Sequence, residues 1–181
     1  MSAEIPKNLE LIRDFVNTRE LDPYEDTIAE PAALRAWLLD RRLVDASARV
    51  TREDVRNAEA FREALRTLLL AHNEDGVETT DASREIERTA RNASLEICFH
   101  PDCTTELVPR APGARGALGK LAAIVADAAG SDEWSRLKAC RRHSCLWAFY
   151  DHARNRSRAW CSMEVCGNRE KAQKFRARHA H

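Results

Sequence analysis

The sequence predicts a mainly α-helical protein with a small β-hairpin: a helical N-terminal domain followed by a C-terminal treble-clef or ribbon-like module built around a metal. Three observations carry that prediction. Apolar residues recur at helical spacing through most of residues 1–139. The period shortens to two over one stretch near residues 94–110. The last 42 residues hold four cysteines in two matched pairs, Cys140-x4-Cys145 and Cys161-x4-Cys166.

In chain order, Leu9, Ile12, Phe15 and Val16 recur at steps of three and four or adjoin, which places them on one face of a helix. Pro31 suits a helix start, where its missing N–H is not needed, and Leu34, Trp37 and Leu38 share a face behind it. Arg41 to Ala48 reads as a connector. Thr51 and Asp54 resemble a capping box ahead of the longest periodic stretch, Val55, Ala58, Phe61, Leu65, Leu68 and Leu69. The polar run Asn73 to Thr80, with Gly76 inside it, ends that helix. Ile86 and Ala90 mark a fainter helical pattern over Thr80 to Asn92. Leu95, Ile97 and Phe99 then alternate with Glu96 and Cys98, and Thr104 to Val108 follows His100-Pro101-Asp102, so this region reads as a hairpin with a Pro-Asp turn. Leu118, Leu121, Ile124 and Val125 restore the helical period as far as Gly130. Ser131 caps a short segment with Trp134 and Leu137, which delivers the chain to Cys140.

Thiolates suit Zn²⁺, and four of them fill its tetrahedral shell without leaving an open position. The module is therefore expected to hold one structural zinc ion through Cys140, Cys145, Cys161 and Cys166. A unit of 42 residues cannot rely on an apolar core, which is why it needs the metal. Two local disulfides or four free thiols are the alternative, and a reducing cytosolic location argues for the metal. Between the pairs, Leu146 to Asp151 suits a strand, His152 to Ser157 a turn, and Arg158 to Trp160 a return to the metal. Gly167 permits a close backbone approach or a positive φ, and lets N–H groups face the sulfurs. Asn168 is placed to cap a helix through Lys171, Phe175 and Arg178. Trp147, Phe149, Tyr150 and Trp160 read as the module's own core in preference to a platform for stacked bases. Cys98 and Cys103 repeat the x4 spacing around His100, without a clear second pair of ligands.

The totals conceal a charge split. The chain has 29 basic and 29 acidic residues, but ten Lys/Arg and three acids fall from Cys140 onward, so the front is about −7 and the tail about +7. That asymmetry points to an acidic body with a cationic binding tail. The expected division is residues 1–139, a helical domain with the hairpin, and residues 140–181, the zinc module. No run approaches the roughly 18 apolar residues of a membrane span, and the first ten residues carry no secretory pattern, so a cytoplasmic protein without membrane partners is expected.

Trp160-Cys161-Ser162-Met163, Cys166-Gly167-Asn168-Arg169 and Lys171, preceded by Phe149-x-Asp151-x-x-Arg154-Asn155, closely resemble the CGNR zinc-finger family. The front is similar to the helical ABATE domain that accompanies that finger. Asp14-Phe15-Val16-Asn17-Thr18 matches its signature, with Arg13 where leucine is common, and Pro31-x-x-Leu34-x-x-Trp37-Leu38 and Phe61 to Arg66 match as well. Ala153 departs from the pattern, which usually has serine there and so a further hydrogen bond in the turn. The resemblance implies a stress-responsive bacterial transcription regulator that binds nucleic acid.

Arg154, Arg156 and Arg158 alternate and would share one face of a strand, while Lys171, Lys174 and Arg178 fall at helical spacing. With Arg169 they form a candidate phosphate-tracking surface, for duplex DNA ahead of RNA. Arg169 has a competing role, pairing with Asp151 to lock the finger. Asp14 and Asn17 on the first helix and Arg62 on the long helix are candidates for a pocket that takes a small-molecule effector, or else for an internal polar network. Leu65, Leu68 and Leu69 offer an apolar face for a homodimer. No Ser/His/Asp order, metalloprotease spacing or acid/base pair is visible, so the expected function is regulation, not catalysis. An RNA- or protein-binding finger on a helical scaffold is the alternative.

Overall fold

A computed structural model describes residues 4–179, with the side chains of Lys174 and Arg178 left out. About half the chain is helical, with small antiparallel strand pairs. The order is α1 (Lys7–Val16), β1 (Arg19–Leu21), β2 (Tyr24–Asp26), α2 (Pro31–Asp40), α3 (Arg52–Ala71), α4 (Thr80–Asn92), β3 (Leu95–Phe99), β4 (Thr105–Pro109), α5 (Gly113–Ala128), a 3₁₀ turn (Trp134–Arg136), β5 (Leu137–Ala139), β6 (Ala148–Tyr150), a π turn (Met163–Gly167) and α6 (Asn168–Arg178).

The long helix α3 is the spine. Its start is a complete capping box: Asp54 N donates to Thr51 Oγ1 (3.2 Å), and Thr51 N donates to Asp54 Oδ2 (2.8 Å). Phe61, Leu65 and Leu69 on its inner face are fully buried against Ile12, Phe15 and Val16 of α1, Leu34 and Leu38 of α2, and Leu121 of α5. Each such side chain contributes about 1.5–3 kcal/mol by leaving water. The amphipathic α4 covers another side of α3, burying Ala82 and Thr89. The hairpin β3–β4 stands where the alternation placed it, with Ile97 opposite Leu107. Gly119 of α5 lets the helix pass against this region, since a Cβ there would lie 2.4 Å from Ala93 Cβ and 2.8 Å from Pro109 Cβ.

Two features differ from expectation. Residues 19–26 form a hairpin, β1–β2, with Arg19 opposite Asp26. Its three-residue strands are too short for alternation to stand out, although Asp22-Pro23 between them is a turn signal. The strand β6 pairs with β5, in front of the first cysteine, and not with Arg158 to Trp160. Leu137, Ala139, Ala148 and Tyr150 consequently join the same apolar core as α1, α3 and α5. Leu65 and Leu69 are spent on that core, and Leu68 packs against it, so this face is not offered to a second copy. The exposed apolar side chains of the body sit elsewhere, notably Ile97 and Phe99 on the β3 strand.

Candidate metal centre and the surface around it

Four segments converge on one point. Cys140 follows β5, Cys145 ends the tight loop before β6, Cys161 follows the irregular segment 151–160, and Cys166 lies in the π turn that opens α6. Their sulfurs all lie within 4.8 Å of one another. The Cys145–Cys161 and Cys161–Cys166 separations are 3.7 and 3.6 Å. A tetrahedron with Zn–S bonds of about 2.3 Å has edges of about 3.8 Å, so the spacing fits one zinc ion. Cys140 and Cys166 are buried, and Phe149 and Trp160 pack around them.

The backbone N–H groups of Cys161 and Arg142 help to lower the Cys140 pKa, and that of Trp147 acts in the same sense on Cys145, which is the sense a Zn(Cys)₄ centre of formal charge −2 requires. The thiols also show why a cation belongs there. Cys140 is pulled down to about 2 by the S–H groups of Cys145 and Cys161, while Cys145 is pushed up to about 12, chiefly by the hydrogen bond it makes to Cys140, with burial and the Cys140 charge adding to it. Cys161 is raised further by the same two neighbours. Cys140 thus favours the thiolate, while Cys145 and Cys161 beside it are held protonated, and a dication shared among the sulfurs reverses that for its ligands. When bound, zinc would supply folding free energy through a closed shell.

Gly167 serves close approach alone. Its φ is −62°, its N–H donates to Ser162 O (3.0 Å), and a Cβ there would lie 2.4 Å from Met163 Sδ. The helix is capped by Ser162, whose hydroxyl accepts from Val165 N (3.3 Å), so the cap falls six residues before Asn168. The π turn carrying Cys166 shifts the helix start upstream. Cys98 and Cys103 are free thiols, and among the described residues His100 and these two gather no further ligands.

The finger is welded to the body by polar contacts that the sequence did not reveal. Arg66, 3 % exposed, donates to Val16 O (2.7 Å) at the end of α1 and to Leu146 O (2.8 Å) in the cysteine loop. Asn73 Nδ2 donates to Ala139 O (2.8 Å) and Ala159 O (2.9 Å), straddling both cysteine pairs. His72 Nδ1 bonds Leu137 O (2.8 Å), and burial lowers its pKa. Asp151 is fully buried and pairs with Lys138 (2.8 Å), not with Arg169. Its other bonds come from the backbone N–H groups of Ala153 (2.9 Å) and Arg158 (3.0 Å), so it organises the loop that returns to Cys161. Burial raises the Asp151 pKa, and Lys138 with the two N–H groups more than reverses it.

The predicted basic residues separate into groups. The segment carrying Arg154, Arg156 and Arg158 is irregular, with Arg156 at φ +51°, so these side chains do not line one strand face. Arg154 and Lys171 are exposed. Arg156 pairs with Asp132 (2.7 Å). Arg158 lies over the Phe149 ring (5.2 Å) and donates to Trp160 O (3.0 Å) and Cys161 O. Arg169 bonds Asp22 (3.2 Å). Lys174 and Arg178 lie on α6, with side chains outside the described residues. The aromatic reading holds for Phe149 and Trp160, which pack around the cysteines, whereas Tyr150 is buried in the body's core and Trp147 is half-buried.

The pocket candidates do not meet. Asp14 and Asn17 line an open cleft of ≈ 590 Å³ with Trp37, Trp147 and His152. Arg62 is 1 % exposed, bound to Asp26 (2.9 and 2.6 Å) and to Thr18 behind the cleft wall, and does not line that cleft. Its role is the internal network.

The structure defines a helical body carrying a closed four-cysteine zinc module. Residues 9–132 match the ABATE family model, described as "Putative stress-induced transcription regulator", and residues 136–179 match the CGNR zinc finger. The chain belongs to the ABATE family and ends in a CGNR zinc finger with the donor set for one structural zinc ion. No curated protein matches it. Neither family is an enzyme family, and no described helix is long and apolar enough to cross a membrane.

Proposed function

We propose that this chain is a cytoplasmic transcription regulator of a stress response, without catalytic activity, that binds duplex DNA through the basic surface of its zinc finger. The observation that carries the reading is the presentation of α6. Cys166 anchors the turn before it in the buried metal cluster, yet no described residue of α6 is buried. A helix with Arg169, Lys171 and Arg176 exposed, rooted at a metal centre, is a rigid cationic arm. Arg154 adds a second exposed cation on the finger. The proposed metal ligands are Cys140, Cys145, Cys161 and Cys166, and the proposed domain limits are 1–139 and 140–181.

The deciding experiment is selection of bound sequences from a random duplex pool by the full chain, with and without chelator, against a single-stranded RNA pool. Enrichment of duplex DNA that chelation abolishes supports the reading. Preference for RNA, or no retention of either pool, overturns it in favour of an RNA- or protein-binding finger. The variant Arg154→Glu/Lys171→Glu should weaken binding to all sequences and reduce the salt slope by about two units.

Two further parts of the proposal concern the body. The cleft between Asp14, Asn17, Trp37 and the finger is the place for a small-molecule effector, because a ligand there touches body and finger together. A homodimer would use the exposed Ile97 and Phe99, beside a cleft of ≈ 770 Å³ against α5.

A further inference from the structure

We infer that Arg142 and Arg169 form a phosphate-binding fork beside the zinc, and that Asp22 of the body occupies this fork in the free chain as an internal competitor. The inference rests on the nucleic-acid reading above. Arg142 lies in the loop between the first two cysteines, and Arg169 is the first-turn arginine of α6. They come from separate sides of the metal cluster, yet both reach one oxygen. Arg142 donates to Asp22 Oδ2 at 3.2 Å, and Arg169 donates to the same atom at 3.2 Å. A carboxylate oxygen held by two guanidinium groups stands where a phosphate oxygen would be held. The cleft around them, ≈ 250 Å³, is open and includes Trp147, Ser162 and Glu20.

The contact is not needed to hold finger and body together. That work falls to buried groups: Asn17 on Ala148, Arg66 on Leu146, and Asn73 on Ala139 and Ala159. By contrast, the side chains of Asp22, Arg169 and Arg142 are 45 %, 57 % and 21 % exposed, so the Arg169 pair is solvated and the Arg142 pair partly so, and both contribute little to stability. A weak, accessible ion pair exchanges readily, and a phosphodiester offers the same geometry with a full charge on each phosphate. Arg156 repeats the pattern, held by Asp132 of the body (2.7 Å). The acidic front thus covers cations of the basic tail at specific places, and DNA must displace Asp22 to reach the fork.

The test is a salt titration of duplex DNA binding by zinc-loaded full chain, comparing wild type, Asp22→Asn, Glu20→Gln, and Asp22→Asn with Arg142→Gln. Glu20→Gln removes the same charge from the same cleft without touching either arginine pair. Asp22→Asn should tighten binding about three- to tenfold at about 50 mM salt, as two exposed pairs at most are released. Glu20→Gln should change it less than twofold. Adding Arg142→Gln should cancel the gain and lower the salt slope by about one unit. Equal affinity of Asp22→Asn and wild type, or of Asp22→Asn and Glu20→Gln, overturns the competitor while leaving DNA binding intact. Failure of wild type and variants alike to bind at low salt overturns the nucleic-acid reading and the fork with it. Zinc content and helicity are measured on each protein. If Asp22→Asn folds poorly, Arg142→Gln in the wild-type background serves instead: an unchanged salt slope overturns the fork.

Discussion

Asn17 and Ala148 hold each other by two hydrogen bonds: Asn17 Nδ2 donates to Ala148 O (2.9 Å), and Ala148 N donates to Asn17 Oδ1 (2.7 Å). The side-chain amide at the end of α1 imitates a neighbouring strand and closes the free edge of β6. Because Ala148 is buried, losing the amide leaves a donor and an acceptor without partners. Asn17→Ala should cost about 2–4 kcal/mol, read as a lowered urea midpoint at unchanged slope. Asn17→Asp should cost at least as much, because a carboxylate oxygen then faces the Ala148 carbonyl.

The Arg62–Asp26 pair gives the body its acid sensitivity. Burial pushes the Asp26 pKa up, but the Arg62 guanidinium more than reverses this, so the folded value lies below the usual carboxylate range. A depressed folded pKa contributes stability above the unfolded value of about 3.9, and that stability is lost as pH falls through the folded value. Asp26→Asn should cost up to about 3–5 kcal/mol near neutral pH, since the buried Arg62 loses its bidentate partner and keeps only Glu63 and the Thr18 hydroxyl. It should also flatten the stability profile below about pH 4. Acid titration of both proteins by circular dichroism measures the two effects.

His72 acts higher on the pH scale. Its ring is half-buried, bonded to Leu137 O and edge-on to Trp134 at 5.1 Å. Burial lowers its pKa, with the Lys138 charge adding to the effect. The unfolded chain therefore takes up a proton that the folded chain refuses. The stability this group contributes is complete above about pH 6.5 and declines as pH falls below it. His72→Gln can keep a donor to Leu137 O but cannot titrate. Urea midpoints of zinc-loaded protein between about pH 7.5 and 5.5 should fall less for His72→Gln than for wild type.

Zinc removal should not unfold the tail uniformly. β5 and β6 share the body's core, and Asp151 and Asn73 hold the loop as far as Ala159, whereas residues 161–179 depend on Cys161 and Cys166 for their path. Chelation, or Cys161→Ser, should abolish hydrogen-exchange protection in α6 and the π turn before it while β5, β6 and the α3 helix remain protected. Loss of protection in β5 and β6 at the same chelator concentration would show that the hairpin, too, requires the metal.

The sequence alone determined the elements that rest on short-range physics. The 3.6-residue apolar period marked α1, α2, α3 and α5, the alternation of Leu95, Ile97 and Phe99 marked a hairpin strand, and Thr51 with Asp54 marked a helix start. The matched cysteine pairs marked the metal centre, because thiolate chemistry and tetrahedral geometry constrain spacing tightly. What only the tertiary structure decided is which polar group meets which. Asp151 meets Lys138 instead of Arg169, Asn17 closes a strand edge as well as lining a cleft, and Arg62 finds Asp26 across the fold. The β5–β6 pairing joins residues on either side of the first cysteine pair, so the finger shares the body's core and is not merely hung from it. Apolar periodicity is written along the chain, since burial depends on which face a residue occupies. A hydrogen bond or ion pair depends on two side chains meeting within about 3 Å, and between distant segments that is set by packing.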